Sequence, residues 1–181
     1  MLILASASPR RHELLTAAAI DHVVRPAAID ESRQSGEPPR EYVLRIAKQK
    51  AEAVSAGSDD IVLGADTVVC VEGEVLGKPA SAAEAAAMLR SLSGRQHSVF
   101  TGISLRRGVR HIAGVSETVV WFNPISDEEI AAYVATGEPM DKAGAYAIQG
   151  YASRFVRRIE GCYHNVVGLP VSLVYRHLKS L

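Results

Sequence analysis

Apolar and polar positions along this chain follow two periods, and the switches between them predict its elements. Met1 to Leu4 is an apolar run of buried-strand length, after which Leu14, Leu15 and Ala18 recur at helical spacing. Between them, in "LASASPRRHELL", Ser8 stands where an N-cap belongs and Pro9 at the first helical position, so strand, tight turn and helix follow directly. An extended segment around Val23 and Val24 precedes an acidic turn, "AAIDES", and a polar loop, "RQSGEPPR". Glu37, Pro38 and Pro39 introduce a long helix to about Val54, with Val43, Ile46, Ala47, Lys50 and Val54 on one face. The run "DIVLGADTVVCV" is β-branched and too apolar for an edge strand, and Glu72-Gly73 after it suits a tight hairpin turn. Ser81 caps an alanine-rich helix to Leu92, and "HSVFTGISL" and "GVSETVVWF" read as a strand pair turning near Arg107 and Gly108. Ser126 and Glu129 have capping-box spacing and open a short helix through Val134. The Gly- and Ala-rich "DKAGAYAIQGYAS" leads into strand-like "RFVRRI", and an amphipathic helix spans about Pro170 to Leu178. Strands and helices intermix, which predicts an α/β fold with a mixed twisted sheet in two lobes around a central cleft.

The length, 181 residues without repeats or an obvious linker, fits a single domain over 1–181. Twenty Lys+Arg balance 20 Asp+Glu, so a broad electrostatic grip on nucleic acid is not expected and any polyanion site must be local. No signal-peptide pattern opens the chain and no apolar run approaches the roughly 20 residues that span a bilayer, which leads us to expect a cytoplasmic protein without membrane partners. Cys70 and Cys162, far apart and outside zinc-ligand spacing, read as buried reduced thiols. The six histidines include no His-Glu-x-x-His pair. "GEVLGKP" has too few residues between its glycines for a P-loop and Pro after Lys78, and no Gly-x-Gly-x-x-Gly occurs.

Four features carry candidate chemistry. Arg10 and Arg11 lie where a helix start exposes unpaired N–H groups, a place suited to phosphate, although two solvated charges would look the same. Lys50 shares the apolar face of its helix, either snorkelling to the surface or reaching an anionic ligand. Asp66 is a carboxylate inside an apolar strand, costly unless it is paired, hydrogen-bonded or metal-bound, and Gly64 and Ala65 leave room for close approach. Glu31, beside Asp30, adds a second acid in what would otherwise be a solvated turn; two carboxylates and water suit a hard cation such as Mg²⁺. With Lys78, the cations fit a triphosphate, and Asp66 could orient or deprotonate water attacking phosphorus.

The segments "LASASPRRHELL", "AKQKA", "GADTVV", "GEVLGKP", "MLRSLSGRQHSVFTG", "EPMDKAGAYAIQG" and "NVVGLP" together resemble the Maf family of nucleotide pyrophosphatases, in the family's order and over nearly the whole chain. The resemblance implies a fold related to inosine triphosphate pyrophosphatases, a divalent metal (Mg²⁺ or Mn²⁺), a homodimer, and hydrolysis of a nucleoside triphosphate to monophosphate and pyrophosphate. It implies Asp66 as general base, Glu31 and Asp66 as metal ligands, and Ser8, Arg10, Arg11, Lys50 and Lys78 as the phosphate-binding set. Arg10, Thr67 and Gln149 match the subgroup that cleaves dTTP and UTP; a second subgroup, acting on 7-methyl-GTP, has Trp, Gln and Glu there. Ala147 departs from the glycine expected in that loop. The family's name also carries another reading, a protein-binding regulator of septum formation; Asp66 within a strand favours the enzyme.

Overall fold

Alternation along three parallel strands builds the core. The computed structural model describes residues Met1–Leu181. Its elements are β1 (Leu2–Leu4), α1 (Pro9–Ala17), β2 (His22–Val24), α2 (Pro39–Ala53), β3 (Ile61–Val71), β4 (Glu74–Leu76), α3 (Ala82–Leu92), β5 (Gln96–Arg107), β6 (Arg110–Phe122), α4 (Asp127–Ala135), β7 (Val156–Glu160), α5 (Tyr163–Val167) and α6 (Val171–Leu178). The seven-stranded sheet runs β2-β1-β3-β5-β6-β7, with β4 on β3. β1 is parallel to β2 and β3, whereas β4 pairs antiparallel with β3 and β7 with β6, so the sheet is mixed as expected.

The chain divides into two units, the first comprising Met1–Thr67, Phe100–Ser116 and His164–Leu181. Within it Leu2, Leu4, Leu63, Ala65, Ile103 and Leu105 cluster with Leu15 of α1 and Val174 of α6. The intervening residues Ile3, Ala5 and Val62 cluster instead with Ala51 of α2 and Val54. Period-two alternation thus sends successive side chains to opposite faces, α1 and α6 covering one and α2 the other. Two glycines set how closely α2 lies: a Cβ on Gly64 would meet the Ala47 carbonyl oxygen at 2.0 Å, and one on Gly102 the Val43 carbonyl oxygen at 2.3 Å. What approaches the backbone at Gly64 is therefore the helix that carries Lys50.

The second unit, Val68–Val99 with Glu117–Tyr163, packs α3 against α4 and contains a buried aromatic cluster. In it Phe122, Tyr146 and His97 meet edge to face. Positive φ at Glu72 and Gly73 closes the β3–β4 hairpin as a two-residue turn, as the sequence predicts. Ser81 accepts from Glu84 N, and the Ser126/Glu129 capping box is complete. Ser8 occupies the N-cap of α1 but makes no side-chain cap; Ser6 Oγ instead accepts the Ser8 N–H at 3.3 Å. Both cysteines are free, yet half-exposed rather than buried. Short 3₁₀ turns over Glu138–Asp141, Ala143–Ala145 and Tyr151–Phe155, and the one-turn helix α5, went unpredicted because none is long enough to show a period. No helix is long and apolar enough to cross a membrane.

Candidate active site

Three parallel strands with α1 and α2 on opposite faces make a topological switch point beside β1, where open α/β sheets commonly bind ligands beyond the strand ends. Lys50, Asp66, Glu31 and Arg11 of the first unit lie at that end of β3. On the α2 face, Val62, Gly64 and Asp66 follow one another along β3, and Lys50 lies one turn beyond Ala47 on the helix that Gly64 admits. Lys50 Nζ donates to Asp66 Oδ1 at 2.9 Å and lies 3.1 Å from Glu31 Oε1. Both Lys50 and Asp66 are 7% exposed, so each loses hydration that the other must replace. Lys50 is held inside by two acids, and the snorkelling reading is set aside.

Asp30 and Glu31 divide their work. Asp30 Oδ1 accepts from the backbone N and side-chain Oγ of Ser32, and the hydroxyl bond chiefly holds its carboxyl below the usual range. Glu31 is left to face Lys50. α2 also secures this loop: Tyr42 Oη donates to Glu31 O at 2.8 Å, and Arg45 donates to Ser32 O and forks onto the Glu37 carboxylate. Burial, with the nearby Asp66 and Glu31 charges, pushes the Tyr42 phenol up to about 12, so it remains a donor at neutral pH.

On the opposite face lies a different network. Arg11 Nε donates to Gly168 O at 2.8 Å, one terminal nitrogen to Ser6 Oγ and Ala65 O, and the other to Thr67 Oγ1 at 3.0 Å. Four of its five N–H groups are thereby used inside the protein, and one remains for a ligand. Burial lowers its pKa, opposed by the charges of Asp66 and Glu31. Arg10 and Arg11, equivalent in the sequence, are therefore placed differently: Arg11 is buried and ties the turn after β1 to β3 and Gly168, while Arg10, one position earlier on α1, is half-exposed. Thr67 Oγ1 also lies 2.9 Å from Thr101 Oγ1, which in turn donates to Asn165 O. Ser6, Thr101 and Gly168 escaped the sequence reading of the site. Gly168, with φ +129°, accepts through a backbone carbonyl, and such a role leaves no side-chain signal.

Lys78 and Gln149 belong to the second unit, both exposed. Lys78 follows β4, and the preceding Gly77 carbonyl accepts from Gly144 N at 3.0 Å, which ties the lysine's turn to the segment leading to Gln149. Gln149 occupies the third position of a tight turn from Ala147 to Gly150, closed by Gly150 N donating to Ala147 O at 3.3 Å.

The donor chemistry of Glu31 and Asp66 fits a hard divalent cation. Both carboxylates point at one positive group, the Lys50 ammonium, and Mg²⁺ characteristically takes one or two carboxylates together with substrate phosphates and water. No group of three or more His, Cys, Asp or Glu side chains converges as a metal cluster, here or elsewhere, so the protein offers a cation two carboxylates at this site.

The fold has a solved counterpart: the Ham1 protein of Staphylococcus aureus superposes with a TM-score of 0.54 at 14% identity, covering 99% of this chain and 98% of that one. It shares the open α/β architecture. The chain belongs to the Maf-like protein family, whose model matches residues 1–181. A relative from Koribacter versatilis, named dTTP/UTP pyrophosphatase, is 53% identical over 179 residues, 98% of this chain and 93% of that protein. Another of that name, from Symbiobacterium thermophilum, is 56% identical over 171 residues, 94% of this chain and 88% of that protein.

Proposed function

We propose that the Lys50, Asp66 and Glu31 cluster is the reacting centre of a nucleoside triphosphate pyrophosphatase that hydrolyses dTTP and UTP to the monophosphate and pyrophosphate. The observation that carries this reading is the buried Lys50–Asp66 ion pair, whose ammonium also meets the half-exposed Glu31 from the loop before α2, in a chain about half identical to relatives of that name. Lys50 engages Asp66 Oδ1, which leaves Oδ2 to orient a water and take its proton as that water attacks the α–β anhydride. Lys50, Lys78, Arg10, the remaining N–H of Arg11 and the turn bearing Ser8 bind the triphosphate, and Gln149 reads the base through an amide that both donates and accepts. Mg²⁺ or Mn²⁺ held by Glu31 and Asp66 would supply neutralisation of the phosphate oxygens. Catalysis by residues 1–181 as one domain, in a cytoplasmic homodimer, belongs to the same proposal; family membership over that whole span supports the first part, and sedimentation tests the dimer.

Pyrophosphate release from dTTP, UTP, CTP, GTP and 7-methyl-GTP, with and without Mg²⁺ or Mn²⁺, tests the reading. We expect metal-dependent turnover favouring dTTP and UTP. Equal rates on all five would refute the assigned base selection, and metal-independent turnover the role of the two carboxylates as ligands.

A further inference from the structure

Gln149 is exposed on a turn, and an exposed amide can select a base only if the turn beneath it is rigid. Two side chains of the second unit hold that turn at its ends. Tyr133, fully buried on α4, accepts the Ala147 N–H through its hydroxyl at 3.1 Å. Glu138 lies under the other end: a Cβ on Gly150 would meet its Oε1 at 1.8 Å, and the same oxygen accepts from Tyr151 N at 3.4 Å. Its second oxygen, Oε2, is sealed from solvent without a hydrogen-bond partner. Leaving a carboxylate oxygen in that state is costly, and an apolar side chain would fill the space without the penalty. Packing therefore does not account for the acid. Between the two clamped ends Ile148 is buried, and only the Gln149 side chain faces outward.

We infer that Tyr133 and Glu138 are positioning residues for base selection: together they fix both ends of the Ala147–Gly150 turn, so that the Gln149 amide meets the pyrimidine edge in one orientation. The inference rests on the proposed base-reading role of Gln149. It concerns residues that touch no substrate.

The test compares kcat/KM for UTP and GTP in the wild-type protein, Tyr133→Phe, Glu138→Gln, Gln149→Ala and the Tyr133→Phe/Gln149→Ala double variant, with a melting curve for each. Tyr133→Phe removes only a hydroxyl and Glu138→Gln keeps volume, so both are expected to fold. A misplaced amide should lower kcat/KM for UTP by about tenfold, mainly through KM, and leave GTP unchanged. In the double variant the UTP:GTP ratio should equal that of Gln149→Ala alone, because a clamp has nothing to position once the amide is gone. A merely structural role predicts equal losses on both nucleotides, and that result overturns the inference. If Gln149→Ala collapses the ratio while neither clamp variant moves it, the clamp alone is wrong. If Gln149→Ala leaves the ratio standing, the base-reading role fails and the clamp falls with it.

Discussion

Gly64→Ala isolates the link between packing and chemistry, because the glycine touches no substrate yet decides where Lys50 sits. The added Cβ would stand 2.0 Å from Ala47 O and 2.8 Å from Ala51 N, both backbone atoms of α2 that no rotamer change can move aside. Relieving the first contact requires the helix to lift from β3 by about 1 Å or more, in an interior packed too densely to absorb it. Overpacking of this kind costs about 1–3 kcal/mol, or about 2–10 °C in Tm for a domain of this size. The helix also carries Lys50, whose 2.9 Å bond to Asp66 would have to lengthen or re-form from a shifted stem, and it anchors the Glu31 loop through Tyr42. Misplacement by about 1 Å can cost about 10²-fold in rate, so kcat/KM for UTP should fall by about 10- to 100-fold beyond any loss of folded protein. Gly102→Ala meets Val43 O at 2.3 Å, two turns from Lys50, and should lower Tm similarly with a smaller effect on turnover. Gly77→Ala has nothing within 4 Å of the new Cβ and should melt as the wild type does. The measurements are thermal denaturation and pyrophosphate release on the same preparations. A Gly64→Ala protein that melts and turns over like the wild type would refute the claim that this glycine sets the approach of α2.

Asp66→Asn keeps shape and removes basicity, so kcat should drop by about 10²–10⁴-fold while UTP binding persists; near wild-type kcat with saturating metal would exclude the base. Lys50→Met leaves Asp66 and Glu31 facing each other uncompensated, so stability without metal should fall by about 3–5 kcal/mol, and Mn²⁺ should raise its Tm more than that of the wild type. An equal Mn²⁺ shift in both proteins would mean that the two acids do not share a cation site. Burial lowers the His97 pKa to about 4, below its unfolded value, so the unfolded chain binds the extra proton between about pH 6.5 and 4. Stability should therefore decline as pH falls through that window, by up to about 3 kcal/mol, and His97→Gln should flatten the decline. An unchanged melting profile between pH 7 and 4.5 in the variant would assign the acid sensitivity elsewhere.

How far the site could be read from sequence follows from what each residue's signal depends on. Lys50 was legible because helical periodicity alone puts it on the face with Val43, Ile46 and Ala47, all of which are buried with it. Asp66 was legible as a carboxylate where the pattern demands an apolar residue. Sequence also showed that something approaches Gly64, but not that the approaching group is the backbone of α2, since glycine records only the absence of a side chain. The roles of Ser6, Thr101 and the Gly168 carbonyl depend on tertiary closure between segments separated by up to 157 positions, and no local spacing encodes that. The internal bonds of Arg11 were hidden for the same reason. Adjacent arginines at a helix start look equivalent, yet helix geometry turns one of them inward.

That inward arginine constrains what Thr67 can do. Asp66 and Thr67 are neighbours in sequence, but strand alternation sends Asp66 toward Lys50 and Thr67 toward Arg11, so the proposed general base and the hydroxyl proposed for base selection face opposite sides of the sheet. The hydroxyl has one proton and two lone pairs. Arg11 donates to one lone pair, and the proton goes to a protein acceptor, either Thr101 Oγ1 at 2.9 Å or Gly168 O at 3.3 Å. Since Thr101 spends its own proton on Asn165 O, it can only accept from Thr67. Thr67 is left with a single lone pair and can meet a substrate only as an acceptor, from a sugar hydroxyl or a ring N–H. Donation to a pyrimidine carbonyl must then come from elsewhere in the proposed set, from the guanidinium of Arg10 or from Gln149, whose amide carries two donors and alone of the two can also accept. The proposed base selection therefore requires the Gln149 turn to be held in place, while Thr67 acts with Arg11 to keep the first turn of α1 fixed against β3.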